Sequence, residues 1–246
     1  MKTYEFLQRP FAHRGLHGNG VPENSMSAFR AAVAGGFAIE TDVRFTKEGR
    51  IVVYHDDNLY RMTGDIRDVI ECTAPELKHL RLEDTDEQMP LFSELLKEIN
   101  GRVPLLIEIK SMRGVKPKEI ALALDKLLEG YQGEYAIQSF QPFYVRAFKR
   151  LRPDVPCGVL SAAHFTREDI GGAFWKLKAH WLSHMTFNYT VKPDFISYNL
   201  HDLPTRKTKR FKGPVLAWTV RSEEDELLAR KHAQTVIFEH YIPRHG

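Results

Sequence analysis

The chain has 246 residues, 43% of them hydrophobic, and a formal net charge of +3 at pH 7. This length and composition allow one large hydrophobic core, and the weak positive charge excludes the strongly basic surface of a nucleic-acid-binding protein. The N-terminus does not resemble a signal peptide, and no run of about 18 apolar residues predicts a transmembrane helix. Cys72 and Cys157 lie far apart and are expected to be free thiols. We therefore expect a cytoplasmic protein without stable membrane insertion.

Strands and helices are predicted to alternate from the N-terminus onward. A short strand at residues 10–12 leads into a glycine-containing loop, and Asn24 or Ser25 is the expected N-cap of a helix. A pair of glycines ends that helix, and a strand over Ala38–Phe45 follows. Strand, helix and strand in about 30 residues predict a βαβ unit.

A β-hairpin is predicted to follow. Gly49 lies in a turn at residues 47–50, and the β-branched run at residues 51–55 is expected to return along the preceding strand. If the turn is centred on Glu48 and Gly49, His55 is expected opposite Asp42.

The rest of the chain predicts a barrel. Residues 57–90 show weak periodicity, and we interpret them as an insertion after the second strand. The predicted helices lie at residues 75–80, 91–99, 118–128, 142–151, near 203 and at 223–231, and the predicted strands at residues 103–109, 135–139, 155–160, 195–198, 215–219 and 236–238. If the strand at residues 51–55 is left out of the barrel, eight strands alternate with helices. This alternation predicts an α/β fold, a TIM (β/α)8 barrel, which forms one domain over residues 1–246. An open doubly wound sheet is the alternative, but no GxGxxG motif follows the first strand.

Charged residues fall near the C-terminal ends of these strands, where TIM barrels carry their active sites. Side chains on a strand alternate between faces, so Glu40 and Asp42 share one face. Glu108 and Lys110 repeat this spacing in the next barrel strand. Buried carboxylates repel one another unless a cation lies between them, and three of them suit Mg²⁺, Ca²⁺ or Mn²⁺. Arg14 and Lys110 beside them suit the oxygens of a phosphate.

Two histidines, His13 and His55, are expected close to these groups. An imidazole exchanges protons near neutral pH, so the combination predicts metal-assisted phosphodiester cleavage with one histidine as base and the other as acid. A rival interpretation makes Lys110 the Schiff-base lysine of an aldolase, although three acids would keep its amine charged. A non-catalytic phosphate-binding barrel is the third interpretation, which measured turnover would exclude.

The segments FAHRGLHGNGVPENSMSAF, IETDVRFTKEGRIVVYHDDNLYRMTG, LIEIK and WTV resemble the glycerophosphodiester phosphodiesterases. The resemblance extends over nearly the whole chain and rests on the ordered HRG, PEN, ExD, HD and ExK elements. It implies a TIM barrel with an insertion after strand two, a glycerophosphodiester as small-molecule substrate, and one divalent cation, Mg²⁺ or Ca²⁺. The residues it implies are catalytic His13 and His55, metal ligands Glu40, Asp42 and Glu108, phosphate contacts Arg14 and Lys110, and pocket aromatics Phe140 and Trp218. Whether water or the glycerol 2-hydroxyl attacks first stays open, as does activity on longer lysophospholipid substrates.

Some residues differ from the pattern of that family. Ser25 replaces a more usual Thr, while Arg221 and the pair Phe238-Glu239 replace Asn and Thr-Asp. We expect these last three residues at the rim of the pocket, facing the alcohol half of the substrate. His17 is expected to be a solvated loop residue, and the basic run at residues 206–210 a solvated helix end. The side chains expected to pack between helices and barrel are Trp175, Trp181, Met185 and Phe187.

Overall fold

The computed structural model describes residues 4–165 and 175–244 of the chain. The strands are β1 (Phe11–Ala12), β2 (Ala38–Phe45), β3 (Ile51–Val53), β4 (Leu105–Ile109), β5 (Tyr135–Ser139), β6 (Cys157–Ser161), β7 (Phe195–Asn199), β8 (Val215–Val220) and β9 (Thr235–Phe238). The helices are α1 (Met26–Ala34), α2 (Tyr60–Thr63), α3 (Ala74–Lys78), α4 (Phe92–Ile99), α5 (Pro117–Leu128), α6 (Pro142–Leu151), α7 (Trp175–Ser183), α8 (Asn188–Val191) and α9 (Glu223–Ala229). Short 3₁₀ helices cover Glu5–Gln8, Val69–Glu71 and Leu200–Asp202.

Eight parallel strands close into a barrel. Their order is β1-β9-β8-β7-β6-β5-β4-β2, and a further pairing of β1 with β2 joins the two ends. Strand β3 lies outside the ring, antiparallel to β2. Every residue of β2 is buried, because one face points into the barrel and the other is covered by neighbouring elements. The predicted TIM barrel with an insertion after its second strand is therefore confirmed, while its extent as one domain over residues 1–246 stays a prediction.

The hairpin between β2 and β3 differs from the prediction by one residue. The backbone N–H of Tyr54 donates to the carbonyl of Asp42 (3.1 Å), so the prediction that His55 lies opposite Asp42 is wrong. The cause is the turn, in which the N–H of Thr46 donates to the carbonyl of Arg50 (2.8 Å) and closes a loop of residues 47–49. A loop shorter by one residue shifts every pairing partner by one position. His55 therefore follows the paired strand and belongs to the start of the insertion.

The insertion between β3 and α4 has a small apolar core of its own. Its buried members are Val52, Tyr54, Leu59, Met62, Val69, Cys72, Leu77, Leu82 and Met89. Gly64 has a φ of 75°, a left-handed conformation that glycine adopts readily, and it ends α2. Arg44 of β2 donates to the carbonyl of His55 through Nε (2.9 Å) and Nη2 (2.6 Å). This contact ties the start of the insertion to the barrel.

Some elements after β6 differ from the prediction. The helix expected near residue 203 is a 3₁₀ helix at Leu200–Asp202, because Pro204 disfavours helical geometry at the residue before it. The basic run at residues 206–210 forms a turn instead of a helix end. Helices α7 and α8 occupy a stretch for which the sequence analysis gives no helix bounds. The Oγ atom of Ser222 accepts from the N–H of Asp225 (3.1 Å) and so caps the N-terminus of α9.

Of the four side chains expected to pack between helices and barrel, only some are found in the core. Met185 is buried in the main core, and Phe187 packs against that core. Trp181 is 39% exposed and meets Phe187 edge-on, with ring centroids 5.8 Å apart. The side chain of Trp175 lies outside the described residues.

Cys72 and Cys157 are both free, as the sequence predicts, and both are buried. Among residues 4–165 and 175–244, no helix combines the length and apolar character needed to cross a membrane.

Candidate active site

Three carboxylates meet within the barrel. Glu40 and Asp42 lie on one face of β2, and the register between β2 and β4 pairs Asp42 with Glu108. One oxygen atom from each residue lies within 4.8 Å of the others, and all three side chains are buried. Two neighbouring strands thus bring together the three acids that the sequence predicts as a cation site.

The electrostatics of this cluster distinguish its members. Burial raises the pKa of Glu40 well above its usual value, and the charges of Asp42 and Glu108 raise it further. Burial also acts to raise the pKa of Asp42, but Lys110 and other neighbouring cations outweigh it, so the pKa of Asp42 lies below its usual range. The charges of Asp42 and Glu108 contribute to the raised pKa of Glu40, and a divalent cation would offset that contribution.

Two cations border the acids. The Nζ atom of Lys110 lies 2.7 Å from Glu108 Oε1 and 3.5 Å from Asp42 Oδ1. Arg14 places Nε 3.4 Å from Asp42 Oδ2, and its backbone N–H donates to Glu40 Oε2 (3.2 Å). Burial acts to lower the pKa of Lys110, but Glu108 and Asp42 outweigh it and raise that pKa. A Schiff-base role requires a neutral amine, which these surroundings of Lys110 disfavour.

Asn24 orients Asp42, a role that the sequence analysis did not predict. Its Nδ2 donates to Asp42 Oδ2 (2.9 Å), and its Oδ1 accepts from the hydroxyl of Thr41 (3.0 Å). The N-cap of α1 is instead Ser25, whose Oγ accepts from a backbone N–H within the helix. Asn24 has a φ of 55°, a left-handed conformation that Asn tolerates better than most residues. The sequence signal that could have indicated this role is an Asn directly before the Ser N-cap of a helix.

Gln138 performs a similar task for Glu40. The β4–β5 register places it beside Glu108, and its Nε2 donates to Glu40 Oε1 (3.5 Å). The hydroxyl of Ser197 donates to Gln138 Oε1 (2.7 Å), which fixes the orientation of the amide. Both side chains are buried, and a polar residue within an apolar strand was the only sequence signal.

His13 is held by a carboxylate from the last strand. Because β1 pairs with β9, His13 and Glu239 follow neighbouring strands, and His13 Nδ1 is hydrogen-bonded to Glu239 Oε2. Burial lowers the pKa of His13 to about 4, although the hydrogen bond to Glu239 acts to raise it. A neutral imidazole bonded to a carboxylate through Nδ1 carries its proton there, which leaves Nε2 as the basic atom. Burial acts to raise the pKa of Glu239, but the hydrogen bond from His13 outweighs it and lowers that pKa.

Two expectations for this region are wrong. Phe238, which was expected at the rim, is completely buried in the main core because its strand position points away from the pocket. Glu239 does line the cleft beside His13 and is hydrogen-bonded to that residue. His17 is not solvated, since only 11% of its side chain is exposed where the glycine-containing loop folds over Glu239. Arg221 does lie at the surface, and its Nε donates to Glu239 Oε1 (2.7 Å).

His55 is held by a chain of ion pairs. Its Nδ1 lies 2.6 Å from Asp56 Oδ1, and Asp56 Oδ2 accepts from Nε of Arg61 (2.6 Å). Arg61 also donates to Glu23 Oε1 (2.6 Å), which accepts in addition from Nη1 of Arg14 (2.8 Å). The chain links the insertion to the cation beside the acid cluster. Both histidines thus use Nδ1 for a carboxylate.

A cleft of about 460 Å³ opens beside His13 and Arg14. Phe140 and Trp218 do not line it; their rings meet edge-on, with centroids 5.5 Å apart, and Phe140 also contacts Phe165. Both aromatic residues lie at the ends of barrel strands β5 and β8. Their contact with substrate stays a prediction.

Comparisons with known proteins agree on one family. A family model described as the glycerophosphoryl diester phosphodiesterase family matches residues 13–242. A glycerophosphodiester phosphodiesterase of Bacillus altitudinis is 34% identical over 165 residues, which are 63% of this chain and 67% of the relative. Lysophospholipase D GDPD1 of Rattus norvegicus is 32% identical over 54% of this chain, a segment that spans only 45% of that relative. A phosphodiesterase structure from Oleispira antarctica in complex with the product sn-glycerol-3-phosphate has a TM-score of 0.79, at 23% identity over 96% of this chain and 94% of the other.

Proposed function

We propose, because the chain belongs to the glycerophosphoryl diester phosphodiesterase family, that it hydrolyses glycerophosphodiesters to sn-glycerol 3-phosphate and an alcohol. The observation that carries the proposal is the buried cluster of three carboxylates with a lysine and an arginine at its border. The similar barrel from Oleispira antarctica holds the product expected here.

The acid cluster suits one divalent cation. Glu40, Asp42 and Glu108 offer oxygen ligands within 4.8 Å of one another, and oxygen ligands are what Mg²⁺ and Ca²⁺ prefer. The raised pKa of Glu40 supports the same assignment, since burial and the charges of Asp42 and Glu108 raise it, and a divalent cation would offset those charges. When bound, such a cation would supply charge stabilisation to the phosphate oxygens.

Arg14 and Lys110 are the proposed phosphate contacts. Both are already ordered by carboxylates, so little side-chain entropy remains to be lost when a phosphodiester arrives. The guanidinium presents a planar fork and the ammonium a point charge, a pair that suits oxygens at different angles.

The two histidines divide the proton transfers. His13 is buried and neutral with Nε2 free, so it takes the proton of the attacking hydroxyl. His55 has a side chain that is 31% exposed and therefore accessible to solvent, and it gives a proton to the departing alkoxide. Glu239 and Asp56 hold the rings through Nδ1 and stabilise the charged form that each ring adopts during turnover.

This scheme does not specify which hydroxyl attacks the phosphate or which alcohol leaves. Water and the glycerol 2-hydroxyl both carry a proton that His13 can remove, and a cyclic phosphate would accumulate transiently only in the second case. The similarity to a lysophospholipase D favours a second candidate substrate, a lysophospholipid with the same glycerophosphodiester centre.

The test is turnover of glycerophosphocholine by the purified protein with Mg²⁺ or Ca²⁺, with sn-glycerol 3-phosphate measured by a coupled dehydrogenase. We expect turnover that a chelator abolishes and added cation restores. A parallel reaction with lysophosphatidylcholine separates the two substrate candidates. Absence of turnover with both esters and both cations would contradict the proposed activity and leave the non-catalytic phosphate-binding barrel.

A further inference from the structure

A second group of metal-ligating atoms lies apart from the acid cluster. Nδ1 of His13, Nε2 of His17 and a carboxylate oxygen of Glu239 lie within 4.8 Å of one another. The Nε2 atom of His17 is buried and makes no hydrogen bond to any described residue, although it lies 3.5 Å from Glu239 Oε2. His240 adds a third imidazole at the same carboxylate, with Nε2 3.7 Å from Glu239 Oε1.

The barrel closure explains why these residues meet. His13 follows β1, while Glu239 and His240 follow β9, and these two strands are paired. The loop that carries His17 folds back over them, with Gly15 at a φ of +81°, where an added Cβ would lie 2.8 Å from the backbone of α1. All four side chains line the cleft of about 460 Å³, so an ion from solvent can reach them.

The ligand chemistry of this group differs from that of the acid cluster. Three imidazoles and one carboxylate are ligands typical of Zn²⁺, which binds nitrogen at about 2.0–2.1 Å and carboxylate oxygen at about 2.0–2.2 Å. Mg²⁺ and Ca²⁺ prefer sites made of oxygen atoms alone. The chain therefore presents two sites of different metal preference, and His13 belongs to the nitrogen-rich one.

We propose that His13, His17, Glu239 and His240 form an inhibitory site for Zn²⁺ or a similar nitrogen-preferring divalent cation. Ligation requires His13 to change tautomer: Nδ1 gives its proton to solvent, and Nε2 takes up one proton from solvent, so the ring stays neutral. A ring in that tautomer cannot accept a proton through Nε2. The bound ion therefore removes the base, a consequence that rests on the proposed function, whereas ion binding itself does not.

Binding is tested in the full chain with the acid cluster disabled by Glu40→Gln and Glu108→Gln. We expect calorimetry to show one equivalent of Zn²⁺ in this variant, and imidazole resonances of the ligating histidines to shift in nitrogen-15 NMR spectra. Adding His17→Asn should weaken the affinity at least about tenfold, the scale for losing a metal-supporting group. Adding His79→Asn instead, which changes an exposed histidine outside the site, should leave the Zn²⁺ affinity unchanged.

Inhibition is tested with the acid cluster intact and saturating Mg²⁺ or Ca²⁺. Zn²⁺ should inhibit glycerophosphocholine turnover, and the inhibitory concentration should rise at least about tenfold in His17→Asn and in His240→Asn, each relative to its own activity without Zn²⁺. Equal Zn²⁺ affinity with and without His17→Asn would overturn the site. Full Zn²⁺ binding without inhibition would overturn its inhibitory role. Absence of turnover before any Zn²⁺ is added would instead contradict the proposed function, and the calorimetry would still decide the site.

Discussion

Replacing Glu239 by Gln removes the charge that holds His13. The amide keeps the size of the side chain but no longer pairs with the ring as a carboxylate does, and the Nδ1 tautomer of His13 loses its preference. A hydrogen bond to a charged group contributes about 1.5–3 kcal/mol, and each 1.36 kcal/mol of barrier is about a tenfold change in rate. If the interaction acts mainly in the transition state, kcat should fall about 10- to 150-fold with little change in KM.

The assay is steady-state turnover of glycerophosphocholine with saturating cation, combined with calorimetric titration of the cation. Arg221→Gln is the control, because it removes the exposed partner of the same carboxylate. An exposed ion pair contributes at most about 1 kcal/mol, so this variant should lose no more than about fivefold. Wild-type kcat in Glu239→Gln, with the protein folded by circular dichroism, would refute the assignment of Glu239 to the positioning of His13.

Three further predictions concern the proposed site. His13→Ala and His55→Ala should each lower kcat by about two to four orders of magnitude, while calorimetry shows that cation affinity is retained. Glu40→Gln, Asp42→Asn and Glu108→Gln should each weaken cation affinity, and excess cation should partly restore activity; undiminished affinity in all three would refute the ligand assignment. Glycerophosphodiesters of choline, ethanolamine and glycerol should differ at most about a hundredfold in kcat/KM, because we expect the rim to make few specific hydrogen bonds to the alcohol half; a strict preference for one alcohol would refute this expectation.

Two exposed residues provide matched controls for these variants. His79→Ala and Glu129→Gln make the same chemical changes at positions away from the barrel interior. Both should retain turnover within about twofold, since surface substitutions usually change stability by no more than about 0.5 kcal/mol. A large loss in either control would attribute the effects at the site to folding.

The acid cluster was predictable because it depends on local periodicity. Alternation along β2 fixes Glu40 and Asp42 on one face whatever the rest of the chain does. Alternation in β4 orients Glu108 in the same way, and parallel pairing of adjacent barrel strands then brings it beside Asp42. Each step uses residues close in sequence or a rule general to the fold.

The groups that orient these residues were not predictable, because they come from distant parts of the chain. Glu239 reaches His13 only because the last strand closes the barrel against the first. Gln138 reaches Glu40 from another strand, and its contact depends on barrel geometry rather than on sequence spacing. The predicted hairpin register is wrong for a different reason. A difference of one residue in the length of the turn decides whether Tyr54 or His55 lies opposite Asp42.

The charge of the site fits a phosphodiester. The three carboxylates, if all ionised, together with Arg14 and Lys110 leave one net negative charge, and one divalent cation would turn this into one positive charge. A phosphodiester carries a single negative charge and would make the assembly neutral. Neither a substrate nor a cation alone achieves that balance in a buried setting, where unpaired charge is costly. The same arithmetic explains why the acids tolerate two fixed cations: without them, one divalent ion would leave an anionic cluster that repels the substrate.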